Sequence, residues 1–147
     1  MPQPSWSAYS AMADAARLKR LHRVRTLQLG LARADEARAQ AQLTSETQLA
    51  YRIGQLVDAV APVPTAATGA VNLAAAAHFR ERLQRSAEAA VNRVRMAEQH
   101  AERSGAATQT AKRDQNAVEK LIDRQRAEDV RAEMKALEDA PAPAPRR

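Results

Sequence analysis

The stretch LQRSAEAAVNRVRMAEQHA, residues 83–101, decides the fold, because small and apolar side chains recur in it at alternating intervals of three and four residues. The pattern extends in both directions and comprises Leu73, Ala76, Arg80, Leu83, Ala87, Ala90, Val94, Ala97, Ala101, Ser104, Thr108, Ala111, Gln115, Val118 and Ile122. This spacing keeps one stripe of a helix facing a partner helix, as a coiled coil requires. The sequence therefore predicts a rod, an architecture that bridges or scaffolds more often than it catalyses.

The composition favours long helices over a globular core. Only 3% of the 147 residues are aromatic and 35 are Ala, so large apolar side chains are too few to build such a core. The absence of Cys excludes disulfides and thiolate chemistry and agrees with a reducing cytoplasm. Residues 1–17 lack the apolar core of a signal peptide, and no window reaches the roughly 18 apolar residues of a membrane span. We expect a soluble, cytoplasmic protein.

Prolines and one glycine divide the chain into two helices. Asp14 is a plausible N-cap, and Pro62, Pro64 and Gly69 interrupt the pattern, since Pro in a helix interior costs about 3 kcal/mol. The prolines from Pro141 onward end the second helix. The predicted organisation is a flexible segment 1–13, a helix 14–60, a tip loop 61–70, a helix 71–139 and a disordered Pro-rich tail 140–147.

A short connection between two long amphipathic helices predicts an all-α fold, a long antiparallel coiled-coil hairpin. In the first helix we assign the apolar stripe to residues 21, 24, 27, 31, 34, 41, 49, 53, 56 and 60. Matching the two stripes predicts that the numbers of facing residues add up to about 132. The predicted pairs are Leu56 with Ala76, Ile53 with Phe79, Leu49 with Leu83, Ala41 with Val91, and Leu21 with Ala111.

This register leaves the end of the second helix without a partner. Residues after about Asp123 have nothing to face, yet Ala127, Val130, Met134 and Leu137 keep the spacing of three and four. Because such an apolar stripe is rarely left in water, we predict a C-terminal single-helix overhang that binds a partner or a second copy. At the tip, two helices cannot fully bury every large side chain, so Tyr51 and part of Phe79 are expected to stay exposed.

Signals for catalysis are absent. The three histidines, His22, His78 and His100, are interpreted as isolated surface residues, without a carboxylate or second His on the same helical face. There is no glycine-rich phosphate loop after a strand. We expect no enzyme activity, no catalytic residues, no metal site, no cofactor and no small-molecule substrate.

Positive charge is concentrated near the N-terminus. Residues 14–38 contain seven basic and three acidic residues, whereas residues 118–139 contain basic and acidic residues in similar numbers. No aromatic residues interleave with the arginines, so a nucleic-acid partner is not expected. A basic amphipathic helix can also lie on a membrane, but the apolar face is mostly Ala beyond Leu31, which is too weak for firm insertion.

Three segments resemble the FliJ family, the small coiled-coil proteins of the bacterial flagellar type III export apparatus. AVEKLIDRQR at 117–126 and EMKALED at 133–139 are similar to the C-terminal pattern of that family, a Glu-Lys-Leu followed by alternating Arg and Glu and ending in a Leu with two acids. LKRLHRVR at 18–25 is similar to its basic, Leu-spaced opening. The resemblance covers nearly the whole predicted rod.

The resemblance implies a stalk that links a hexameric export ATPase to the membrane export gate and assists export chaperones, peripherally associated with the inner membrane. Phe79 and Leu83 match an aromatic and an aliphatic position on the gate-contacting face. The residues implied in gate binding at the tip are Leu49, Ile53, Leu56, Phe79 and Leu83. Those implied in the ATPase ring contact are Val118, Leu121, Ile122, Arg124, Arg126, Val130, Met134 and Leu137.

Two alternatives remain open from the sequence. The related injectisome stalk proteins share this architecture, and a basic coiled-coil adaptor could bind nucleic acid through its basic end.

Overall fold

The computed structural model describes residues 6–60 and 69–140, and these residues form two α-helices and no strand. Helix α1 spans Trp6–Ala59 and helix α2 spans Ala70–Glu138. The two helices pack against each other, as side-chain contacts between them show. The all-α class predicted from the sequence is confirmed.

Helix α1 begins earlier than predicted. It starts at Trp6 rather than near Asp14, and Asp14 lies inside the helix, 4.0 Å from Arg17 Nη1. The segment from Trp6 to Ala13 contains neither Gly nor Pro and three of its residues are Ala, so nothing in it opposes helix formation. The predicted helix start near Asp14 is therefore wrong, and residues 1–5 of the predicted flexible segment lie outside the described part of the chain.

Helix α2 begins directly after Gly69. The Gly69 carbonyl accepts hydrogen bonds from the backbone N–H groups of Asn72 and Leu73, at 2.9 and 3.2 Å. The helix ends at Glu138, three residues before Pro141. Residues 61–68 of the predicted tip loop and residues 141–147 of the predicted tail lie outside the described part of the chain.

The chain divides into two compact units. The terminal unit comprises residues 1–31 and 109–147, and the central unit comprises residues 32–108. Within each unit a part of α1 packs antiparallel to a part of α2. In the terminal unit Arg25 pairs with Asp114 and His22 with Glu119, and in the central unit Glu46 pairs with Arg93.

These contacts define the register of the helices. The numbers of the paired residues add up to 141 for His22 with Glu119 and to 139 for Arg25 with Asp114 and for Glu46 with Arg93. The predicted value of 132 is therefore wrong by about eight residues, or roughly two turns of helix. None of the five predicted pairs fits the observed register.

The error came from the stripe assigned to α1. Its buried and half-buried side chains alternate strictly by three and four, and they are Ala15, Leu18, His22, Arg25, Leu29, Ala32, Glu36, Ala39, Leu43, Glu46, Ala50, Ile53, Val57 and Val60. Half-buried Gly54 lies beside this stripe. Of the ten positions assigned from the sequence, only Ile53 and Val60 belong to it. The observed stripe includes four polar side chains, His22, Arg25, Glu36 and Glu46, so its apolar period is not visible in the sequence. Such side chains can occupy an interface because their apolar parts are buried while their polar groups remain in water.

The stripe of α2 agrees with its prediction. Every predicted position from Ala76 to Ile122 is buried or half-buried, while Leu73 is exposed. The buried side chains of the central unit are small: Ala39, Ala90, Ala97, Ala101, Ser104 and Thr108. Those of the terminal unit are the larger Leu29 and Val118.

Candidate partner-binding surfaces

The predicted gate-binding residues lie in the central unit, where the structure separates them into two groups. Ile53 and Leu83 belong to the buried stripes and are half-buried between the helices. Leu49, Leu56 and Phe79 point away from this interface, and Phe79 keeps 53% of its surface exposed. Only the second group is free to contact a partner.

The observed register explains this separation. Leu83 faces Val57 and Ile53 faces Ala87, rather than the predicted Leu49 and Phe79. The last helical residue of α1, Ala59, stands opposite residues near 81, so the first turns of α2 continue past it. Phe79 lies on these turns. Tyr51 is exposed and its hydroxyl accepts a hydrogen bond from Gln55 Nε2 at 3.1 Å, so the expected exposure of Tyr51 and Phe79 is confirmed.

The predicted ATPase-binding residues lie in the terminal unit and also divide. Val118 is buried and Ile122 half-buried, so both pack between the helices. The exposed members are Leu121, Arg124, Arg126, Val130, Met134 and Leu137. The interior positions hold the two helices together, and the exposed ones remain available.

The predicted overhang depended on a first helix that starts near Asp14 and on facing residues whose numbers add up to about 132. The structure shows neither. Because α1 begins at Trp6 and facing numbers add up to about 140, the backbone of α1 reaches a level opposite residue 134. The side chains from Ala127 to Leu137 are nevertheless exposed. This part of α2 therefore offers an apolar row of Val130, Met134 and Leu137 to a partner.

Charged side chains connect the helices of the terminal unit. Arg25 Nη1 lies 3.0 Å from Asp114 Oδ2 and 3.0 Å from Gln28 Oε1. His22 Nε2 lies 3.1 Å from Glu119 Oε1, and this contact is an ion pair only when the imidazole is protonated. In the central unit, His78 Nδ1 lies 3.9 Å from Glu81 Oε2 of the same helix. The prediction that no carboxylate shares a helical face with a histidine is therefore wrong for His78, whereas the carboxylate beside His22 comes from α2.

A shallow groove of about 410 Å³ lies beside the His22–Glu119 pair. Its lining includes Lys19, Arg23 and Arg126 as well as Ile122. A groove of about 390 Å³ in the central unit runs beside the Glu46–Arg93 pair and is lined by Met96, Ala97 and His100. Both grooves are open to solvent along their length and are not enclosed cavities.

One exposed apolar surface was not predicted from the sequence. Leu21, Val24, Leu27 and Leu31 were assigned to the core, yet all four are exposed in the terminal unit. One signal in the sequence could have revealed this. These positions follow intervals of three, three and four, which depart from the strict alternation that the core stripe of α2 obeys.

Within residues 6–60 and 69–140, no group of three or more His, Cys, Asp or Glu side chains lies close enough to hold a metal ion. In the same residues, neither helix has a stretch apolar enough to cross a membrane. No protein-family model, curated protein or solved structure matches this chain.

Proposed function

We propose that this chain is a non-enzymatic component of a bacterial flagellar type III protein export apparatus. It acts as a stalk, an antiparallel coiled-coil hairpin that links the hexameric export ATPase to the membrane export gate and assists export chaperones. The proposal rests on the resemblance of three sequence segments to the FliJ family. It includes a peripheral location at the inner-membrane export apparatus.

One structural observation supports the proposal most directly. Exposed apolar side chains of the two predicted sets lie in different units: Leu49, Leu56 and Phe79 in the central unit, and Val130, Met134 and Leu137 in the terminal unit. Large apolar side chains that share an exposed surface are candidates for a contact with a partner. Two groups fit a protein that binds two different partners.

Burial narrows the residues that carry each contact. We assign the gate contact to Phe79, Leu49 and Leu56, because Ile53 and Leu83 are engaged between the helices. We assign the ring contact to Leu121, Val130, Met134 and Leu137, with Arg124 and Arg126, because Val118 and Ile122 pack inside the terminal unit.

Binding of the purified full chain to a purified export ATPase and to the cytoplasmic domain of an export gate protein tests both contacts. We expect V130E/M134E to weaken ATPase binding by about tenfold or more while gate binding is retained, because a charge is costly in an apolar contact. Phe79→Ala should do the reverse. The matched control is Met96→Ala, which alters an exposed Met of α2 outside both groups.

Circular dichroism must show that the variants fold as the wild type does, which their exposed positions predict. The proposal fails if the wild-type chain binds neither protein. The residue assignment fails if both variants bind both proteins as tightly as the control does.

A further inference from the structure

The outward side of α1 in the terminal unit carries a row of large apolar residues, Leu21, Val24, Leu27 and Leu31, here termed the outer ridge. Leu27 is 69% exposed and Leu31 is 65% exposed. Between them, Leu29 is only 5% exposed. Since a helix turns about 100° per residue, Leu27 and Leu31 each lie about 160° around α1 from Leu29. Leu27 and Leu31 thus point away from α2, while Leu21, which is 38% exposed and lies about 40° around α1 from half-buried Arg25, forms the edge of the ridge nearest to α2.

Basic side chains accompany the outer ridge. Arg17, Arg20 and Arg23 each precede a ridge residue by four positions and are its neighbours on the helix surface. Neither Arg20 nor Arg23 forms an ion pair with a described carboxylate, and the same holds for Lys19. In contrast, Asp14, Asp114 and Asp123 each have an Arg within 4.0 Å, and Glu119 contacts the His22 imidazole. The uncompensated charge around the ridge is positive.

We propose that the outer ridge docks on the surface of an anionic lipid bilayer, with its apolar side chains at the level of the headgroups and its cations against the lipid phosphates. A helix with exposed Leu and Val side chains beside Lys and Arg is the type that lies in the plane of a membrane interface. Juxtaposed basic residues add electrostatic attraction to anionic lipids. This inference goes beyond the proposed stalk function and requires none of its partners.

The shape and charge of the ridge favour a lipid surface over other partners. A second copy presenting the same ridge would bring like charges together, which is unfavourable. A protein partner would have to supply a matching apolar groove with acidic groups at its rim, whereas an anionic bilayer presents apolar and anionic groups over its whole surface. Nucleic acid would leave the four apolar side chains in water and finds no Phe, Tyr or Trp among residues 12–31 on which a base could stack.

From the sequence, the apolar face of the first helix was expected to be too weak for firm membrane insertion, because it is mostly Ala beyond Leu31. Leu21, Val24, Leu27 and Leu31 were assigned to the interface with the second helix. The observed register returns all four to the surface. Their number supports reversible surface binding rather than spanning.

Vesicle co-sedimentation with the purified full chain tests the inference. We expect binding to phosphatidylcholine vesicles that contain phosphatidylglycerol, and little binding to vesicles of phosphatidylcholine alone. Raising the salt concentration should weaken binding, since exposed charges are screened. The variant L27Q/L31Q should bind about tenfold less tightly, because it removes two apolar side chains from the contact. The variant R20Q/R23Q should also bind less tightly.

The matched control is V91Q/M96Q, which removes two comparably exposed apolar side chains from α2 in the central unit. It should bind as the wild type does. The inference is overturned if the wild-type chain ignores anionic vesicles, if it binds neutral vesicles equally well, or if L27Q/L31Q binds like the control. Tighter binding to a DNA duplex than to anionic vesicles at the same salt concentration would also overturn it.

Discussion

The central and terminal units join the same two helices by different means. In the central unit the buried side chains are Ala, Ser and Thr, so the backbones can approach closely. In the terminal unit the buried side chains are Leu29 and Val118, and two side-chain pairs, Arg25–Asp114 and His22–Glu119, bridge the helices beside them. Charged pairs between the helices occur in both units, since Glu46 pairs with Arg93 in the central unit. The two interfaces therefore differ in the size of their buried side chains, which are small in the central unit and larger in the terminal unit.

The buried stripes of the two helices also differ in composition, and this explains why hydropathy identified the contact face of α2 but not that of α1. A stripe of small residues keeps its period visible, as α2 shows from Ala76 to Ile122. A stripe that includes His22, Arg25, Glu36 and Glu46 loses its apolar signal although its spacing is regular. The conspicuous leucines of α1 then point outward.

The strongest test concerns the register of the central unit. Ala39 and Ala101 face each other in the observed register, whereas Ala41 and Val91 face each other only in the predicted one. The chain has no native Cys. We expect A39C/A101C to form an intramolecular disulfide on oxidation, because facing Cβ atoms come within disulfide reach. The control A41C/V91C should not. Non-reducing electrophoresis and mass spectrometry measure both, and the reverse result would restore the predicted register.

The next largest effect concerns the terminal unit. Leu29→Ala removes a buried side chain and should lower the free energy of unfolding by about 2–3 kcal/mol, mostly through lost burial and an unfilled space. Leu27→Ala, two residues away and exposed, should change it by less than about 0.5 kcal/mol. Urea unfolding followed by circular dichroism measures both. Equal effects would mean that the two faces of α1 are not distinguished as described.

A smaller effect is expected from filling the close contact of the central unit. Ala90 is 1% exposed, while its neighbour Ala89 is exposed. Ala90→Leu should destabilise the fold by about 1–2 kcal/mol, since the added side chain forces the helices apart. Ala89→Leu should lie within about 0.5 kcal/mol of the wild type. Thermal unfolding distinguishes them, and a stabilising Ala90→Leu would show that the interface is loosely packed.

The smallest effect concerns the charged pair of the terminal unit. A double-mutant cycle with Arg25→Ala and Asp114→Ala should give a coupling energy of about 0.5 kcal/mol, because both side chains are partly exposed. High salt should reduce it. A control cycle with Arg23→Ala and Asp114→Ala should give none. A coupling of zero for both cycles would leave apolar packing alone to join the helices.

The candidate surfaces could be predicted only in part from the sequence. Phe79, Val130, Met134 and Leu137 could be identified because large apolar residues near helix ends stand out against a polar background. Which residues of the predicted gate-binding and ATPase-binding sets are packed and which are exposed could not be predicted, because this depends on the register of α1 against α2. The residues of the outer ridge were assigned to the interface between the helices because the predicted register was wrong.

The sequence by itself determined the two helices, the interruption between them and the contact face of α2, because helix propensity, Pro and heptad spacing act locally. The tertiary structure decided which face of α1 is buried and which residues meet. A side chain such as Glu46 is acceptable at an interface only when a partner such as Arg93, 3.1 Å away, and nearby water can solvate its charge. That condition depends on the other helix, so no pattern within α1 could reveal it.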